Sequence, residues 1–204
     1  MTEPAGLTVA RSELILGGQK SGKSRRAEAL AQNWLAQSTE HQALLIATGQ
    51  PWDDEMRERI ARHRQDRAAR VPAMQTLEEP LQLAQALQQL SQPHTLVVVD
   101  CLTLWLTNWL MPAENAENSP KNESNRPLAQ YPRAQEAMIL IAIEKATGPV
   151  VLVGNEIGLG VIPLGRETRG FVDALGRLNQ DVAKVCERVT FMAAGLPLTL
   201  KDQP

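Results

Sequence analysis

A chain of 204 residues, 43% of them hydrophobic, is long and apolar enough to close one domain around a sizeable core. Its 21 basic and 23 acidic residues leave a formal net charge of −2, which argues against a general nucleic-acid binder with its strong positive surplus. No apolar run approaches the roughly 20 residues of a membrane-spanning helix, and the three histidines form no zinc motif.

The first residues carry no secretion pattern, so the expectation is a cytoplasmic protein without a transmembrane segment. Residues 1–12 read as a flexible tail and 13–204 as a single domain. Leu14-Ile15-Leu16 predicts the first strand, followed at once by Gly17-Gly18-Gln19-Lys20-Ser21-Gly22-Lys23-Ser24 and by a segment, Arg25 to Gln37, able to continue as a helix. Leu44 to Ala47 predicts a second buried strand ending at Thr48-Gly49. Trp52 to about Gln65 is charged and helix-compatible. An extended segment around Pro72 to Thr76 leads into Leu77-Glu78-Glu79-Pro80 and a Gln/Leu/Ala-rich helix through Leu90. Leu96-Val97-Val98-Val99 is the clearest central strand and ends in Asp100. Leu102 to Met111 is apolar, with a helix beginning near Leu102. Residues 112–127, rich in Asn, Glu, Ser and Pro, read as a polar excursion from one domain rather than a linker between two.

Beyond it, Ala134, Ala137, Met138 and Ile141 have helix spacing and predict a packing face. Phe171, Leu175, Leu178, Val182 and Val185 predict another. Strands are expected at Pro149 to Val153 and Val189 to Ala193, with Gly195-Leu196-Pro197 turning the last into a terminal hairpin. Short apolar runs alternating with helices predict an α/β fold built on a mostly parallel sheet covered on both faces.

The strand–loop–helix setting of the glycine-rich stretch points to nucleotide-triphosphate binding. Its glycines let backbone N–H groups converge on phosphate oxygens, and the helix N-terminus adds a favourable dipole. Lys23 is placed to reach the outer phosphates and Ser24 to ligate magnesium. Asp100, at the end of a buried strand, has two readings: a carboxylate orienting magnesium or its water, and a cap for the next helix. His63 also has two. With Arg59 and Arg67 four residues away on either side, a neutral ring there is a nucleophile toward phosphorus, or else a surface histidine in a salt-bridged helix. Glu78 and Glu79 stand at a strand end, where binding or helix initiation would use them. Val153 to Gly160 offers polar groups and flexible backbone at another strand end, and Arg166 and Arg169 read as phosphate contacts or as solvent-facing charges. Surface or capping roles suffice for His41 and His94. Cys101 and Cys186, in apolar contexts, read as buried thiols.

These landmarks in order resemble the bifunctional adenosylcobinamide kinase/adenosylcobinamide-phosphate guanylyltransferase family. The resemblance runs from about Leu14 to Lys201 and includes the phosphate loop, Ile46-Ala47-Thr48, Asp53 to Met56 with Arg59-Ile60 and His63, and Thr76 to Pro80. It continues through Val99 to Trp105 with Asn108, Val153 to Gly160, Gly176 to Gln180, and Ala194 to Leu198. It implies a P-loop NTPase fold with a RecA-like central sheet, flanking helices and a terminal antiparallel edge, 13–204 forming one nucleotide-binding catalytic domain. The implied activity has two steps: ATP or GTP phosphorylates the aminopropanol hydroxyl of adenosylcobinamide, and GTP then donates GMP to adenosylcobinamide phosphate. His63 falls on the histidine that carries the covalent guanylyl intermediate. Lys23 would stabilise developing charge, Gly17 to Ser24 with Thr48 and Glu78 would bind nucleotide, and Ser24 and Asp100 would support magnesium. A homotrimer is also implied. Two positions depart: Lys20 stands where members often have arginine, and Arg62 where some carry a second histidine. The residues by themselves also fit a P-loop kinase or NTPase acting on another metabolite, and a nucleotide-regulated binding protein.

Overall fold

The computed structural model describes residues 7–111 and 130–203, so the polar excursion and the first six residues lie outside it. Among the described residues, seven strands form one sheet: β1 (Ser12–Gly17), β2 (Gln42–Ala47), β3 (Gln75–Glu78), β4 (Thr95–Asp100), β5 (Val150–Val153), β6 (Arg188–Ala193) and β7 (Leu196–Asp202). Their order across the sheet is β3-β2-β4-β5-β1-β6-β7. Every pairing is parallel except β6 with β7, which are antiparallel. The expected mostly parallel sheet with an antiparallel edge is thus the observed one.

The central strands read as unbroken apolar runs because both faces are covered. Side chains alternate between faces: Val97 and Val99 join one core with Leu14 and Leu152, while Leu96 and Val98 join the other with Ile15 and Val151. The first core packs under α3 (Leu83–Leu90), α4 (Leu102–Leu110), α5 (Gln130–Glu144) and α6 (Arg166–Val185); the second packs under α1 (Lys23–Gln37). Leu7 and Val9 also lie against the second core, and Asn33 donates its amide to the Leu7 carbonyl.

On α6 the expected stripe is inward: Leu175, Leu178 and Val182 are fully buried. On α5 the expected stripe is corrected. Met138 and Ile141 are 45% and 44% exposed, and Ile139, Ala142 and Ile143 face the core instead. Residues 138–143 are apolar without interruption, so periodicity alone does not choose between adjacent faces; packing against α3 and α6 does.

α2 (Asp54–Arg70) runs further than the charge pattern to Gln65 predicts. Arg67 and Arg70 in its last turn complement the helix dipole, Arg70 pairs with Asp66 one turn back, and Pro72 then forbids continuation. The extension also shifts β3 toward its C-terminal end relative to the expected extended segment.

The terminal hairpin turns through Ala194 (φ 51°) and Gly195 (φ 79°), the doubly left-handed two-residue turn that matches strand twist. From β7, the Lys201 ammonium donates to the carbonyls of Ala183, Lys184 and Cys186 at 3.1, 3.0 and 2.6 Å, closing the C-terminus of α6. Lys201→Met should therefore lower unfolding free energy by about 2 kcal/mol, seen as an earlier urea midpoint at unchanged slope.

Candidate active site

The parallel register brings the chemistry to one edge. Glu78 pairs with Ala47, Ala47 with Asp100, and Asp100 with Val153, so a single row across β3, β2, β4 and β5 ends at the sheet's carboxyl edge. β1 reaches the same edge and opens into the phosphate loop.

Two glycines make that loop possible. A side chain at Gly17 (φ 151°) would place its Cβ 2.4 Å from the Met192 carbonyl oxygen, so only glycine lets β1 leave the sheet beside β6. Gly22 (φ 104°) supplies the left-handed step into α1, against Gly195 of the terminal hairpin. The Gly195 amide donates to the Ser21 carbonyl at 3.0 Å, so the hairpin braces the loop from behind. Lys20 also adopts a left-handed conformation (φ 57°). Its N-cap residue, Gly22, offers no side chain to the start of α1, which leaves the first amides for a ligand. The Ser21 hydroxyl is buried with no hydrogen-bond partner among the described residues, a second donor held in reserve.

Lys23 is buried, and its ammonium donates to the Gly18 carbonyl at 2.6 Å. Burial pulls its pKa below the usual lysine range; Cys101 and Asp100 oppose that shift and Arg59 adds to it. The Ser24 hydroxyl donates to Asp100 Oδ2 at 2.9 Å. Asp100 is not the cap of α4: Cys101 occupies that position, its sulfur accepting from the Leu104 amide at 3.5 Å. The carboxylate is therefore available to the phosphate loop. Ser24 and Asp100 offer hard oxygen donors side by side, which suits magnesium, an ion that keeps waters and takes its remaining ligands from phosphate. Among the described residues no cluster of three or more His, Cys, Asp or Glu could hold a metal ion, so the nucleotide would have to complete such a site.

α2 forms the facing wall. Asp53 caps it by accepting from the Met56 amide at 2.7 Å, and none of its residues is buried. Met56, Arg59, Ile60, His63, Arg67 and Arg70 recur at three- and four-residue spacing and line a cavity of about 620 Å³. Gln19 to Ser24, Glu78 and Asp100 line it too. His63 is exposed in this wall, and its ring makes no hydrogen bond with another described residue. Three arginine bridges tie α2 to the body: Arg64 to Glu78, Arg67 Nη2 to Thr76 Oγ1 at 3.3 Å, and Arg70 to Glu28 at 2.6 Å. Burial lowers the Arg67 pKa, with Asp100 acting against it.

Other candidates lie elsewhere. Gly17 and Gly18 support the loop without lining the cavity. Thr48 is fully buried; its hydroxyl accepts from the Cys101 amide at 2.9 Å and donates to the Cys101 carbonyl at 2.7 Å, while its own amide donates to the Asp100 carbonyl. It fixes the backbone that presents Asp100. Asn108 reinforces this by donating to the Thr48 and Pro80 carbonyls at 2.8 and 3.0 Å. Glu79 caps the turn into α3, accepting from the Leu81 and Gln82 amides. Arg169 donates to the Pro163 and Leu164 carbonyls. At the opposite edge of the sheet, His41 stacks on Trp34 with ring centroids 3.7 Å apart. Both cysteines are buried, and burial pushes their thiols up to about 12.

Within the segment Val153 to Gly160, sequence reading did not single out Asn155. That residue lines the cavity at the end of β5, its amide bonded to Thr103 Oγ1 and its carbonyl to Asn179 Nδ2. Its position beyond a buried strand between β4 and β1 is the signal that marks it. No helix among the described residues is long and apolar enough to cross a membrane.

Residues 13–200 match the model of the CobU family, described as cobinamide kinase / cobinamide phosphate guanyltransferase. The bifunctional adenosylcobalamin biosynthesis protein CobP of Pseudomonas aeruginosa is 45% identical over 94% of this chain and 98% of its own. The bifunctional adenosylcobalamin biosynthesis proteins CobU of Escherichia coli and Salmonella typhimurium are 34% and 33% identical, each over 92% of this chain and 98% of the relative. With the phosphate loop, Asp100 and His63 on one cavity and the family match covering nearly the whole length, the chain belongs to the cobinamide kinase / cobinamide phosphate guanyltransferase family.

Proposed function

We propose that one cavity performs both reactions in succession, with His63 as the covalent carrier in the second. The observation that carries this reading is the convergence of Lys23, Ser24 and Asp100 with His63 across a single space of about 620 Å³. In the first step the aminopropanol oxygen of adenosylcobinamide attacks the γ-phosphorus of ATP or GTP. The bond to the β–γ bridging oxygen breaks, the nucleoside diphosphate leaves, and the hydroxyl proton passes to solvent or a base. In the second, a neutral ring nitrogen of His63 attacks the α-phosphorus of GTP and pyrophosphate departs. A phosphate oxygen of adenosylcobinamide phosphate then attacks the resulting phosphoramidate, forming the diphosphate bond of adenosylcobinamide-GDP and returning the electron pair to the imidazole.

Lys23 meets the negative charge that gathers on the phosphates in each displacement. A nucleotide in the cavity would add phosphate charge beside the buried ammonium, which bonds the Gly18 carbonyl. Ser24 and Asp100 would hold magnesium together with nucleotide phosphates, and the bound ion would supply charge neutralisation. Glu78, paired with Arg64 next to His63, positions that part of α2 and is available to the guanine base. Thr48 acts through the Asp100 backbone. Assembly is proposed as a homotrimer: Leu196, Leu198 and Leu200 form an exposed row on the edge strand β7, a surface that association would cover.

The test is to incubate the protein with magnesium and GTP labelled in either the guanosine or the terminal phosphate, then map the adduct. Acid-labile GMP on His63 is the expected product. Its absence under conditions where GTP binding is demonstrated would sink the covalent step.

A further inference from the structure

We propose that a second recess, between the segment after β5 and the outer face of α6, holds the acceptor of both reactions by one edge of its corrin ring. This rests on the function proposed above. The nucleotide cavity accounts for phosphates and a base, but the acceptor is a macrocycle fringed with carboxamides, and it must deliver its hydroxyl or phosphate to the nucleotide from a separate surface.

The recess has a volume of about 470 Å³ and is walled on one side by Ile157, Val161, Ile162 and Pro163. It stands at the same edge of the sheet as the phosphate loop. α6 precedes β6, which runs parallel to β1, so α6 begins at the carboxyl edge where β1 and β5 end. The segment leaving β5 serves both spaces. Asn155 lines the nucleotide cavity, the Glu156 amide donates to the Gly17 carbonyl at 3.1 Å, and Ile157 already lines the recess. The two spaces therefore adjoin along this segment, with Asn155 on one and Ile157 on the other.

The two walls carry the two chemistries that this acceptor presents. On α6, Asp173, Arg177 and Gln180 are spaced by four and three residues and share one face. All three are exposed, and none forms a hydrogen bond or salt bridge with another described residue. A carboxylate, a guanidinium and a carboxamide together supply the acceptors and donors that primary amides require. Opposite them the wall is apolar and turned to solvent: Val161 is 96% exposed and Ile162 76%. A hydrophobic ring face laid on these side chains removes them from water, as in other mostly apolar sites with few placed polar groups. Arg169 also lines the recess, but its guanidinium is engaged by the Pro163 and Leu164 carbonyls and so fixes the wall's shape.

Two variants test the assignment: the double substitution Asp173→Ala with Arg177→Ala, and Ile162→Ser on the opposite wall. Each should raise the KM for adenosylcobinamide by about tenfold or more, with the KM for GTP and covalent guanylylation by GTP alone at parental levels. An unchanged acceptor KM in both variants overturns the proposal. So does parallel loss of guanylylation from GTP alone, which would place the recess in the nucleotide site. A change of oligomeric state in size-exclusion chromatography with light scattering overturns it as well, by making this face a contact between copies. If the parent chain takes up no guanylyl group and uses no adenosylcobinamide, the proposal falls with its premise, a result distinct from any variant effect.

Discussion

Replacing His63 with asparagine is expected to abolish guanylyl transfer while sparing the kinase reaction. The ring sits on an exposed helix and holds no hydrogen bond to the rest of the described chain, so its removal leaves the cavity's architecture in place. Without a nucleophilic nitrogen the phosphoramidate cannot form, and transfer should fall by roughly 10³-fold or more. Phosphorylation of adenosylcobinamide, which in the proposed mechanism does not pass through His63, should stay within about tenfold of the parent. Separate assays of the two products decide the matter. Equal losses in both would mean that His63 supports the nucleotide rather than carrying it.

Lys23→Met should have the complementary signature. Methionine keeps the apolar stem in its buried setting and removes the ammonium that reaches the Gly18 carbonyl. In the proposed mechanism both reactions move negative charge on phosphate oxygens next to this position, so both should fall by roughly 10²–10³-fold. The fold should survive, because a buried cation whose pKa is already drawn down by desolvation contributes little net stability. Thermal unfolding at the parental temperature together with loss of both activities is the expected pair of results. Survival of either activity within about tenfold would show that charge at this position is not shared between the steps.

Much of the site is legible in the sequence because its chemistry is local. Gly17 to Ser24 carries its own backbone requirements, and the apolar run Leu96 to Val99 ends in an acid, where a buried strand must surface. The Cys101 cap is less legible, since a cysteine sulfur is a weak acceptor and Asp100 is the better capping residue by type. The register decides instead, placing Asp100 in line with Ala47 and Val153 and turning its carboxylate to Ser24. Thr48 illustrates a different limit. Its position at a strand end looks like a ligand contact, yet the hydroxyl is consumed by a peptide 53 positions away in the chain. The packing face of α5 is illegible for a third reason, because Met138 to Ile143 presents apolar groups all round the helix and only neighbouring helices select a side. His63 has two readings on sequence alone; the spacing of Met56, Ile60, His63 and Arg67 becomes informative once the cavity on that side is known.

The bracing of the phosphate loop by the terminal hairpin has a consequence for synthesis on the ribosome. β1 is the first strand made, yet its partners are β5 and β6, whose residues begin at Val150 and Arg188. The Gly195 amide that steadies Ser21 is later still. During translation β1 therefore stays without its parallel partners until first β5 and then β6 have been made. Such long-range parallel pairing makes for slow closure and prolonged exposure of apolar strands to chaperones. The rear support of the phosphate loop is therefore complete only once the terminal hairpin is in place.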